Sequence, residues 1–69
     1  MGLTELQRLI IAGLKICEED IANITIIMLT LKTEEQQWQM AEYLDTVVDN
    51  PPPKGTLLAI ARRIASETE

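Results

Sequence analysis

The sequence has no histidine, no phenylalanine, one cysteine and three glycines among 69 residues. Each absence closes a route. Folding removes a smaller share of surface from water in a small domain than in a large one, so many small domains rely on disulfides or a metal. Cys17 alone cannot close an internal disulfide, and with no histidine beside it there is no zinc ligand set. Gly2, Gly13 and Gly55 are scattered, so there is no glycine-rich loop to cradle a phosphate. With a single Trp and a single Tyr, the core has to be built from Ile, Leu, Val, Ala and Met. No apolar run reaches the ~18 residues of a spanning helix, and no basic region opens the chain as an export signal would. Leu6 also stands where a myristoylation signal needs Ser or Thr. The expectation is a cytoplasmic protein with no membrane partner and no cofactor.

What is present describes one small globular domain over residues 1–69, with 46% hydrophobic and 25% charged residues. The net charge of −5 is unevenly spread. Residues 1–17 carry +1 (Arg8 and Lys15 against Glu5) and residues 51–69 carry +1 (Lys54, Arg62 and Arg63 against Glu67 and Glu69). Residues 18–50 carry −7, with Lys32 set against Glu18, Glu19, Asp20, Glu34, Glu35, Glu42, Asp45 and Asp49. An acidic middle repels phosphate backbones and anionic headgroups, which disfavours nucleic acid and membranes as partners.

The periodicity predicts an all-α bundle of four short helices, at about 4–17, 20–32, 34–49 and 56–67. Leu3, Leu6, Ile10, Leu14 and Cys17 recur on one face of the first, and Leu9, Ala12 and Ile16 form a second apolar face. Thr4 and Gln7 have capping-box spacing, and Asp20 is the expected cap of the second helix. Ile21 to Leu31 is rich in β-branched residues, which favour strands. Yet Ile21, Ile24, Ile27, Met28 and Leu31 fit a helix, and no second strand offers itself as a partner. A helix is therefore expected, with an intermolecular strand pair as the alternative. Thr33 with Gln36 repeats the capping box before a third helix whose core face is Met40, Ala41, Leu44, Val47 and Val48. Asn50 and Pro51–Pro53 end that helix and continue as a stiff spacer. Thr56 is the expected cap of the fourth helix, with Leu57, Ile60, Ala61 and Ile64 inward.

The inventory argues against an enzyme. The carboxylates fall at helix starts or on a polar ridge of Glu35, Glu42 and Asp49, where water keeps them ordinary. Ridge carboxylates seven residues apart on a helix stand about 10 Å apart, too far to share one cation. Cys17 has only acids as charged neighbours (Glu18, Glu19 and Asp20), which oppose a reactive thiolate.

Association is the function the pattern supports. Helix one is apolar over most of its circumference and Ile21–Leu31 nearly all round, more than one small bundle can cover. The expectation is a non-catalytic interaction or adaptor module that forms a homo-oligomer, most simply a dimer, and binds one larger protein. Leu9, Ile16, Ile26, Leu29 and Trp38 are the candidate interface residues, Trp38 standing either as an anchor or at the core edge. One alternative is a dimeric DNA-binding regulator contacting nucleic acid through Lys54, Arg62 and Arg63 within residues 54–67. Against it stand the proline-stiffened connection and the apolar start of that helix; pairing of the arginines with the acidic middle is the simpler role. Another is an acidic inhibitor whose ridge mimics a phosphate backbone.

Overall fold

The apolar spacing read along the chain resolves into four helices. The computed structural model describes residues 2–68. The helices are α1 (Leu3–Ile16), α2 (Asn23–Thr30), α3 (Glu34–Val47) and α4 (Thr56–Thr68), and no strand occurs among the described residues. α1 packs on α2 and α3, and α4 packs on the same two from the other side, so the four close into a ring of neighbours. The Cα radius of gyration is 10.6 Å, close to the ~11 Å expected of a compact chain of this length.

The centre of the ring is aliphatic. Leu6, Ile10 and Leu14 of α1, Ile27 of α2, Met40, Leu44 and Val47 of α3, and Leu57, Ala61 and Ile64 of α4 are buried together with Cys17 and Leu31. The side chain of Leu3, expected on the same face, lies outside the described side chains. Gly13 faces side chains of α3 and α4 at close range. A Cβ there would stand 2.7 Å from Leu44 Cδ2 and 3.2 Å from Leu57 Cδ1, so the missing side chain is what lets α3 and α4 press against α1.

α1 ends in a Schellman motif. The amide of Glu19 donates to the Leu14 carbonyl at 2.8 Å and that of Glu18 to the Lys15 carbonyl at 3.2 Å. The motif needs a left-handed residue, and Glu18, at φ 57°, takes the place glycine usually fills. Between α2 and α3 the capping box is complete. Thr33 Oγ1 accepts from the Gln36 amide at 3.2 Å, and buried Gln36 Oε1 accepts from the amides of Thr33 at 3.0 Å and Lys32 at 2.8 Å.

Several local expectations are corrected. α1 begins at Leu3 on an extended Gly2, with no side-chain cap, so Thr4 lies within the helix and cannot cap it. α2 begins at Asn23 rather than near residue 20, because Ile21 and Ala22 form a turn first. Asp20 caps that turn, Oδ1 accepting from the Ala22 amide at 2.9 Å. Thr56 is likewise the first residue of α4, and the Gly55 carbonyl accepts from the Ala59 amide at 3.3 Å. Val48, expected on the core face, is 65% exposed. α3 ends at Val47 and the chain then turns towards Pro51, so nothing remains to cover it.

Candidate interaction surface

Apart from Gln36 in the capping box of α3, the polar groups of the interior lie where α1 ends. Cys17 is a buried free thiol, and burial first, then the charge of Glu19, pushes it above the usual cysteine range. Tyr43 of α3 is half-buried beside it, and its phenol is raised by burial first and by Cys17 second. Glu19 departs from the expectation of a solvated carboxylate: it is only 7% exposed. The left-handed turn at Glu18 rotates its neighbour inward, where Oε1 accepts from the Gly55 amide and Oε2 is buried without a partner. This bond ties the loop after the prolines to the end of α1. Gly55 itself sits at φ 93°, a conformation glycine adopts without strain. The arrangement is a structural tie: the thiol is held protonated and the carboxylate already faces an amide.

The remaining acids behave as a solvated ridge. Glu34, Glu35, Glu42, Asp45 and Asp49 are all exposed. Among the described residues no group of three or more Cys, Asp or Glu stands close enough to hold a metal ion.

The basic residues of the DNA-binding alternative, Lys54, Arg62 and Arg63, are exposed as well. Arg63 Nε is 2.9 Å from Glu67 Oε1 one turn along α4, so its partner comes from its own helix and not from the acidic middle. The i,i+4 spacing makes that pairing local.

Among the five candidate interface residues, Leu9 is half-buried and packs against the core, with part of it still at the surface. Ile16, at the end of α1, remains exposed, and Trp38, at 48% exposure, lies outside the set packed against the core. Ile26 and Leu29 stay together on the outward side of α2, 44% and 71% exposed. Leu29 is the crest between two shallow grooves. One runs towards α4 and is lined by Ile26, Leu29, Thr30, Lys32 and Ala65; the other runs towards α1 and is lined by Gln7, Ile24, Thr25, Met28 and Leu29. Neither Ile16 nor Trp38 lines either groove.

α2 is the weakest amphipath of the four because apolar residues run nearly all round it, while the fold covers only one side. Ile27 is its one buried residue, yet no charge occurs between Asp20 and Lys32. Sequence reasoning identified the surplus apolar surface but not where it would gather. Only the packing of α1 and α4 against opposite flanks of α2 decides that.

Comparison with protein-family models, curated proteins and solved structures gives no match for this chain. Among the described residues no helix is long and apolar enough to cross a membrane.

Proposed function

We propose that this chain is a small non-catalytic interaction module that associates with itself through the outward face of α2, in a cytoplasmic setting, and presents a further surface to one larger protein. The observation that carries the reading is the crest of α2, where Leu29 is 71% exposed and Ile26 44% exposed on a helix with no charged residue. An uncharged apolar ridge between two grooves is the kind of surface that marks an interaction site. A non-catalytic role fits the interior, whose thiol is held protonated and whose buried carboxylate is tied to the Gly55 amide.

The molecule measures 28 × 22 × 22 Å. The crest and its two grooves occupy only part of one face of so small a molecule, so an interface smaller than the ~800 Å² per partner of a standard one is expected. Self-association in the micromolar range is expected. Sedimentation equilibrium from 1 µM to 1 mM tests it; a single monomeric species across the whole series rejects the proposal.

A further inference from the structure

We infer that two copies meet with their α2 helices antiparallel, about a two-fold axis passing between Thr25 and Ile26. This inference rests on the self-association proposed above and adds its register. The outward side of α2 and its leading turn presents Ala22, Thr25, Ile26 and Leu29, all exposed, at the three- and four-residue spacing of one helical stripe. The stripe is small at its start and large at its end. A parallel pair would set Leu29 against Leu29 and Ala22 against Ala22. An antiparallel pair centred between Thr25 and Ile26 sets Leu29 over the partner's Ala22, large against small, twice.

The charges at the two ends agree with the same register. Glu18 and Asp20 are exposed before the stripe and Lys32 is exposed after it, its amide held by Gln36 Oε1 at 2.8 Å. Antiparallel pairing brings the basic end of each α2, at Lys32, to the acidic end of the partner's, where Glu18 and Asp20 lead into the helix; parallel pairing would set acidic end against acidic end and basic against basic. A second copy of this chain is therefore the occupant whose charges complement this surface.

The test exchanges charges and controls for net charge. Lys32→Glu should weaken association about tenfold, since it makes two repulsive pairs per dimer. Lys54→Glu, with the same change in net charge but away from the stripe, should change it less than threefold. Combining Lys32→Glu with Glu18→Lys restores the original net charge and should bring association back to within threefold of the unaltered chain. Independently, Thr25→Cys lies beside the axis and should give a disulfide-linked dimer under mild oxidation, whereas Trp38→Cys should not. The unaltered chain, with only its buried Cys17, is the control. Association that persists while the exchange fails to restore it, or while Thr25→Cys fails to cross-link, overturns this register and leaves self-association standing. A monomer at every concentration overturns both.

Discussion

Replacing Leu29 with alanine separates association from folding. Burying a whole leucine side chain contributes ~1.5–3 kcal/mol, and 71% of Leu29 is still in contact with water in the single chain. Covering it in a dimer is therefore worth roughly 1–2 kcal/mol per copy. Alanine retains only a small part of that, and a two-fold dimer loses the contact twice. Leu29→Ala should weaken self-association roughly 20- to 300-fold. The fold should hardly notice, because the side chain is already exposed and alanine and leucine are both good helix formers. Leu44→Ala is the counterpart at 4% exposure, where a lost leucine and its cavity cost ~2–5 kcal/mol. A chain of this size has only ~3–10 kcal/mol in all, so that variant should be close to unfolding. Sedimentation equilibrium reads the first effect, and urea unfolding followed by circular dichroism, well below the dissociation constant, reads the second. If Leu29→Ala shifts the dissociation constant less than threefold, or destabilises the dilute chain as much as Leu44→Ala does, Leu29 is not the contact argued here.

At Gly13, alanine gains about 1 kcal/mol of helix propensity but its Cβ meets Leu44 and Leu57 at 2.7 and 3.2 Å; overpacking costs ~1–3 kcal/mol, so the urea midpoint should fall. Pairing it with Leu44→Ala, which vacates the space, should be less damaging than the sum of the two single changes. Trp38→Ala should leave the helical circular dichroism largely intact, because nearly half of that side chain is exposed; unfolding as ready as that of Leu44→Ala would make Trp38 a core residue. The Cys17 thiol is raised in the fold, so its contribution to stability is fully present below the unfolded-state value of ~8.5 and is lost as pH rises from there through the folded value. Urea midpoints between pH 7.5 and 10 should fall with pH, and less steeply in Cys17→Ala; equal slopes would refute the assignment. Glu19→Ala leaves the Gly55 amide without its carboxylate and should cost ~1–3 kcal/mol in the same assay.

The four helices were legible because their cores repeat at three and four residues, and because α2 had no partner strand to make use of its β-branched residues. Caps were less legible, for an identifiable reason. Thr4–Gln7 and Thr33–Gln36 have the same spacing, yet only the second forms a box. What distinguishes them is how the chain arrives. Lys32 and Thr33 turn their amides towards Gln36, whereas the Gly2 carbonyl already takes the Leu6 amide and starts α1 earlier. Glu19 could not have been separated from Glu18 and Asp20 by sequence, since the three adjacent acids look alike. Its burial depends on the left-handed turn at Glu18 and on Gly55, which lies 36 residues away. The basic residues misled in the opposite sense. Arg63 needed no distant acid because Glu67 stood one turn along its own helix.

The charge pattern gives the proposed surface its selectivity. Association of small apolar patches is weak and indiscriminate unless other approaches are disfavoured. Along α3 and the turn that follows it, the exposed Glu34, Glu35, Glu42, Asp45 and Asp49 make that side repel a second copy of itself. Residues 21–31 are the one long uncharged stretch in the acidic middle, and the fold turns it into an outward crest between α1 and α4. Two copies can approach there without setting ridge against ridge, and Lys32, the only base among residues 18–50, stands at the end of that stretch. The acidity that argues against nucleic acid thus also narrows self-association to one face. On this reading, raising the salt concentration should relax the narrowing. Screening shortens the reach of surface charge from ~10 Å at 0.1 M to ~3 Å at 1 M, so repulsion between ridges fades while the apolar contact at Leu29 remains. Salt also screens the attraction of each Lys32 to the partner's acids, so self-association of the unaltered chain, held mainly by the apolar contact at Leu29, should change little with salt. The loss caused by Lys32→Glu should shrink, and a loss of the same size at both salt concentrations would show that Lys32 acts through something other than charge.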